Sequence, residues 1–251
     1  VQPNTFNMYC HREPRFYLTV VWNGQWFKWE NRNTNFLYGG PDGGPTHDAP
    51  QNGYLNRSRV SLDYIPRDNN HPYRPAIIFR MAEAYLSYAE ALNECSERMS
   101  YEQEILNNLN KIRHRAGIAE YGTGTDENGF TRIKINFADQ KEVRRLIHKE
   151  RRVEFVGEGI RYHDLRRWKT AHYGIGNMNE QGENPDWGVN GPDHGMNYYG
   201  TEYTDQGDNA FFKRTKYMDR VYPRKFYWYP IHQSEIDKDP TLVQGPFWLG
   251  E

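Results

Sequence analysis

Glu150 and Glu154 lie one helical turn apart in the middle of an apolar stripe, and no other feature constrains the fold of this chain so strongly. On a wheel of about 100° per residue, Val143, Leu146, Ile147 and Val153 fall within one arc of about 120°, and both glutamates land inside it. A carboxylate on the buried face of a helix is destabilising unless a cation meets it there. The surrounding segment, KERRVEFVGEGIRYHDLRRWKTA (149–171), offers Arg151, Arg161, Arg166 and Arg167. Glu150, Glu154, Arg161 and Arg166 are therefore expected to form structural ion pairs inside a helical scaffold, with a break at Gly157-Glu158-Gly159.

Paired carboxylates also do general acid–base work, and one turn of separation suits the short spacing of a retaining glycosidase. Here the pair faces the packed side of its helix, so no residue is assigned a catalytic role. Asp164, with Arg167 and Trp168, reads as a helix-end contact. The basic cluster Arg144, Arg145, Lys149, Arg151 and Arg152 is interleaved with Glu142, Glu150, Glu154, Glu158 and Asp164, which describes a salt-bridged face. With a net charge of −1, the chain has no electrostatic case for binding nucleic acid. Asp42, His47 and Asp48 sit in a glycine-rich loop, but their spacing fits no calcium loop, and no metal is assigned.

Along the chain, residues 15–29 read as a β-hairpin: RFYLTVVW and QWFKW joined by Asn23-Gly24. That register places Phe16, Leu18, Val20, Trp22, Phe27 and Trp29 on a core face and leaves Trp26 on the exposed one. Residues 31–73 are loop, rich in Gly, Pro, Asn and Asp. Residues 74–171 read as a helical repeat scaffold. Ile78, Met81, Ala82, Tyr85, Ala89 and Leu92 predict a helix from Pro75 to Met99, with Arg80, Glu83, Glu90 and Glu94 opposite. A capping box at Ser100 and Gln103 opens the next helix, which Gly117 stops. A polar excursion over 119–138 leads to a cap at Asp139 with Glu142, then to the glutamate-bearing helix, then to a fourth helix marked by Tyr162, Leu165 and Trp168. Two helical hairpins in series are similar in architecture to tetratricopeptide units. Residues 173–210 form a second long loop, and 211–251 a strand and proline-studded tail.

Aromatic residues make up 15% of the chain, with 19 Tyr and 7 Trp beside a hydrophobic fraction of 37%. Rings in so polar a setting suit ligand stacking or an interface. A sugar presents an apolar C–H face to a ring, while amides and carboxylates satisfy its hydroxyls. Trp26, followed by Asn31, Asn33, Asn35 and Tyr38, fits that arrangement best. Trp187, Tyr198 and Tyr199 in the second loop are further candidates, and Trp168 and Trp228 are expected in the core. The candidate ligand contacts are therefore Trp26, Asn31, Asn33, Tyr38 and Trp187. Cys10 and Cys95 have no metal-like spacing; they either pair or are both free. No apolar run approaches the roughly 20 residues that cross a bilayer. The opening VQPNTFNMYCHREP reads as mid-protein loop, the later part of a longer protein.

Five segments occur in a familiar order: EPRFYLTVVWNGQWF (13–27), RPAIIFRMAEAYLSYAEALNE (74–94), LNKIRHRAGI (109–118), ERRVEFVGEGIRYHDLRRWKTA (150–171) and FYWYPIHQSEIDKDPTLVQGPFW (226–248). In these the chain resembles the later part of SusD/RagB-like outer-membrane nutrient-binding lipoproteins of Bacteroidetes. It departs from them at Pro230-Ile231-His232 and Gly245-Pro246-Phe247. The resemblance implies a mostly α fold with tetratricopeptide-like helical hairpins, a small β-hairpin element and long irregular loops. It implies non-catalytic capture of an oligosaccharide, or of a peptide in the RagB branch, without a cofactor. The implied partner is a SusC-like TonB-dependent transporter barrel, which the protein caps as a hinged lid at the cell surface. The lipid anchor would lie upstream, since Phe6-Asn7-Met8-Tyr9 is no lipobox for Cys10.

Overall fold

A computed structural model gives the structure and describes residues 5–58, 60–61, 68–69, 72–73, 76–174 and 188–248. Two units divide it, one of residues 1–159 with 194–215 and one of 160–193 with 216–251.

The first unit begins not with a long strand but with a short helix, α1 (Pro14–Thr19). Pro14 stands in its first turn, where a missing N–H costs nothing. Arg15, on this helix, reaches buried carboxylates far along the chain, so a tertiary ion pair overrides the β preference of Phe16, Tyr17 and Thr19. The chain then enters β1 (Val20–Trp22), turns at Asn23-Gly24, and continues as β2 (Trp26–Phe27). The turn is closed by Gln25 N donating to the Trp22 carbonyl at 3.2 Å. The expected hairpin does not form from it. Gly24 has positive φ (+89°) but Asn23 does not, whereas the two-residue turns that match the twist of two paired strands need it at the first central position. The flanks therefore splay. β1 pairs antiparallel with β4 (Tyr54–Asn56), and β2 pairs antiparallel with β3 (Arg32–Asn33), Trp26 opposite Asn33. The small hairpin of the fold is thus 26–33, with a 3-10 turn (Lys28–Glu30) and a left-handed Asn31 between its strands.

Beneath β1 lies a core made largely of rings: Tyr9, Trp22, Phe36, Phe211 and Phe212, with Phe6, Phe16, Tyr17 and Tyr54 packed around it. Phe6 stacks on Phe212 at 3.7 Å, and Trp22 on Phe16 at 5.4 Å. Much of the aromatic content is therefore structural. Of the predicted core face, Trp22 is buried, while Leu18 and Phe27 are exposed.

Three helices form the scaffold: α2 (Met81–Glu94), α3 (Glu102–Ala116) and α4 (Gln140–Glu154), with α2 against both others and α3 touching α4. Helix α2 starts six residues later than its periodicity predicts. Residues 76–80 are irregular, and Ile78 is 96% exposed. The buried stripe is Ala82, Leu86, Ala89 and Leu92, joined by Glu90 and Asn93. Met81 is exposed, and Glu90, expected in water, is buried beside Arg151 and His148 of α4. No Ser100 capping box opens α3; a 3-10 turn (Arg98–Tyr101) runs straight into it, and Ser100 Oγ donates to the Glu97 carbonyl. Asp139 caps α4 as expected, accepting from the N–H of Lys141 and Glu142. Gly157 ends the segment at φ +78°, where a Cβ would lie 2.1 Å from the Asn56 amide nitrogen. The glycine break is thus also a close approach to β4.

In the second unit, α5 (Ile160–Arg167) carries Arg166, which donates to the carbonyls of Phe226 and Tyr227 at 2.7 Å each. Strands β5 (Gly191–Gly195) and β6 (Thr215–Arg220), of which residues 191–193 and 216–220 belong to this unit, pair as a two-stranded sheet. A last helix, α6 (Gln233–Lys238), precedes the tail, whose Trp248 Nε1 donates to the carbonyls of Lys225 and Trp228. Asp164 accepts from Arg167 at 2.9 Å, a helix-end contact. Trp228, expected in the core, is partly exposed against Phe247. Cys10 and Cys95 are both free thiols. Among the described residues no helix is long and apolar enough to cross a membrane.

Candidate functional site

The two glutamates of α4 sit in a closed ion-pair cluster. Glu150 meets Arg15 at 2.7 Å and Arg113 at 2.9 Å. Glu154 meets Arg15 at 3.0 Å and also pairs with Arg80 and Arg115. Glu13 and Glu158 complete a set of four carboxylates against Arg15, Arg80, Arg113 and Arg115. Burial pushes the Glu154 carboxyl up, but hydrogen bonds and charge from Arg80, Arg115 and Arg15 outweigh it and hold the group below the usual carboxylate range. The side chains of Glu150 and Glu154 are 4% and 2% exposed, so no substrate reaches either oxygen. The cations differ from those expected. Arg166 is engaged by the Phe226 and Tyr227 carbonyls, and Arg161 lies over the Trp168 ring. The four actual partners lie 37 to 139 residues away in sequence, and no local periodicity marks them.

The hairpin 26–33 gives a different surface. Trp26 and Asn33 are direct cross-strand partners, so their side chains emerge on one face. Trp26 is 47% exposed. Asn33 is also one wall of a pocket of about 430 Å³, whose other lining includes Asn23, Thr34, Asn35 and Tyr203. The pocket is rigidly framed. Thr34 Oγ1 donates to the Trp22 carbonyl at 2.7 Å and accepts from Gln25 N. Asn23 Oδ1 accepts from Phe36 N at 2.8 Å, which fixes its amide and leaves its buried Nδ2 without a partner. Gly24 lies at the pocket, where a Cβ would come within 3.0 Å of the Tyr203 hydroxyl. Burial raises the Tyr203 phenol, so it remains a neutral hydroxyl. Arg32 grips Asp42 with two bonds of 2.6 and 2.8 Å, tying β3 to the following loop and holding the Asp42 carboxyl low. Asp42 is therefore occupied, while His47 and Asp48 are fully exposed and no metal cluster forms among the described residues.

The other predicted contacts scatter. Asn31 lies at the hairpin tip with φ 50°, apart from the pocket lining. Tyr38 joins a second ring cluster, 6.0 Å from Tyr198 and 5.5 Å from Tyr199, and its N–H donates to the Gly200 carbonyl. Tyr199, at 70% exposure, is the open ring of that cluster. Trp187 and the side chain of Trp29 lie outside the described residues. Sequence reasoning missed Asn23, Thr34 and Tyr203. Asn23 reads as a turn former, and Tyr203 is brought in from a loop without periodicity.

Residues 2–248 match the SusD family. A stretch of 109 residues, 43% of this chain and 18% of the relative, is 35% identical to a SusD-like protein of Formosa agariphila. The crystal structure of a SusD-like protein of Bacteroides fragilis superposes with a TM-score of 0.65 at 27% identity, covering 96% of this chain and 40% of that one. A SusD-like carbohydrate-binding protein of the same organism gives 0.62 at 24% identity, covering 94% and 42%. The chain thus spans less than half the length of these relatives.

Proposed function

This chain belongs to the SusD family, whose members are non-catalytic binding proteins, and we propose that it captures an oligosaccharide on the hairpin surface around Trp26. A sugar ring stacks its C–H face on the indole. Asn33, Asn35, Thr34 and Tyr203 then exchange hydrogen bonds with its hydroxyls at the adjoining pocket. The observation that carries this reading is the cross-strand pairing of a half-exposed Trp26 with Asn33, a wall of that pocket. No bond is made or broken, so affinity comes from ring contact and selectivity from the amide pattern. At the cell surface, held by a lipid anchor, the protein hands its cargo to a TonB-dependent transporter barrel of the outer membrane.

Calorimetric titration with a panel of neutral oligosaccharides tests the reading. Binding that weakens at least roughly tenfold in Trp26→Ala, about 1.4 kcal/mol, with thermal stability nearly unchanged supports it. Binding indifferent to Trp26, or heat evolved only with peptides, overturns it.

A further inference from the structure

The largest cavity among those described in the first unit lies on the helical scaffold, where α3 faces the polar excursion that follows it. It holds about 850 Å³, within the range of about 300–1,000 Å³ typical of small-molecule sites. Its far wall is a rigid loop. Asp126 accepts the backbone N–H of Glu120, Asn128 and Phe130 at 2.9–3.1 Å, and backbone bonds join Glu120 to Ile133 and Gly124 to Arg132. Asn110 joins that loop to α3, donating to the Tyr121 carbonyl at 2.9 Å and accepting its N–H at 2.8 Å. Deeper in the groove, Glu120 is neutralised by Arg132 at 2.8 Å and approached by His114 at 3.3 Å.

The polar groups of the frame therefore satisfy one another, while those on the rim keep hydrogen-bonding capacity to spare. Gln103, Asn107 and Lys111 follow at four-residue spacing along one face of α3, and all three are exposed. Gln103 Nε2 donates to Asn107 Oδ1 at 2.8 Å, which leaves one acceptor and one NH₂ donor open on the pair. The Lys111 ammonium sits 4.3 Å over the Tyr85 ring. Thr123 and Glu127 face this row from the excursion, and Glu102 stands at its start.

These groups select against most ligand classes. An anion meets the carboxylates of Glu102 and Glu127, and a cation meets Lys111. An apolar molecule finds Leu106 as the sole aliphatic side chain in the lining. A neutral chain of hydroxyls can donate to the carboxylates and accept from the amide and ammonium together. We infer that the groove between α3 and the 119–133 excursion is a second saccharide-binding site, separate from the hairpin surface and read by Gln103, Asn107, Lys111, Thr123 and Glu127.

Amide-resolved NMR titrations of the chain with maltohexaose, laminarihexaose, xylohexaose and mannohexaose test this. At least one hexaose should shift the backbone resonances of residues 103–111 and 123–127, and these shifts should persist in Trp26→Ala. The double variant Gln103→Ala, Asn107→Ala should weaken that groove titration by roughly fivefold or more. Both positions are exposed and alanine favours the helix, so the fold should survive, as an unchanged amide spectrum elsewhere would verify. Shifts confined to residues 22–35 with all four sugars overturn the second site and leave the hairpin reading standing. Shifts confined to the groove reverse that outcome. If none of the hexaoses moves a groove resonance at millimolar concentration, or if a neutral Gly-Ser peptide alone does so, the inference falls.

Discussion

In the helical scaffold, charged groups meet each other; around the hairpin, amides and rings meet water. The Glu150–Glu154 cluster joins four carboxylates to four guanidiniums, and its two central glutamates have almost no solvent contact. At the hairpin, Trp26 and its cross-strand partner Asn33 stand exposed, Asn33 is a wall of a framed pocket, and Asn23 keeps a buried donor unpaired. Each region holds polar groups that packing alone does not explain. Their hydrogen-bond capacity is spent internally in one case and left over in the other. An identical residue type therefore reads as structure or as recognition according to whether its partners are already present.

The largest expected effect lies in the scaffold. Glu154→Ala leaves Arg15, Arg80 and Arg115 without a shared counter-ion and should cost about 3–5 kcal/mol, read from chemical denaturation. A loss below about 1 kcal/mol would break the contrast between the two regions. Next comes acid. The folded Glu154 carboxyl titrates below its unfolded value of about 4.3. Its contribution is thus complete above that pH and disappears as pH falls through the folded value. Denaturation midpoints across this acid range should fall less steeply in Glu154→Gln than in the parent.

At the hairpin the effects move from stability to binding. Trp26→Ala should cost roughly tenfold or more in oligosaccharide affinity with stability changed by less than about 0.5 kcal/mol. Gly24→Ala forces a side chain into positive φ against the Tyr203 hydroxyl and should cost about 1–2 kcal/mol of stability. Its binding loss should exceed what unfolding explains, because the added methyl enters the pocket wall. Asn33→Ala is the smallest change, about 0.5–1.5 kcal/mol in affinity by calorimetry, and it sharpens the comparison by testing an amide without a ring.

How much of this was legible differs by region for a physical reason. Burial of Glu150 and Glu154 followed from the periodicity of α4, because a helix reports its buried face locally. Their partners did not, since Arg15 and Arg80 approach through tertiary packing from elements whose own patterns say nothing about it. The Asn23-Gly24 turn was readable, yet the pairing of its flanks was not. The sign of φ at Asn23 decides whether the strands stay together, and both signs suit the same dipeptide. Ile78 fits the stripe of α2 but lies before the helix begins. Trp26 and Asn33 were legible as exposed ring and loop amide; their juxtaposition required β3, a strand of two residues too short to show alternation. Tyr203 enters the pocket from a loop without any repeating pattern.

Arg15 has one more implication. Helix α1 runs without interruption into β1, so the strand leading to the Trp26 hairpin takes its bearing from a guanidinium anchored among Glu13, Glu150 and Glu154. Buried charge pairs feel dissolved salt weakly. The attitude of the indole should consequently hold steady from dilute to briny surroundings, a useful property for any surface that must greet its cargo outside a regulated interior.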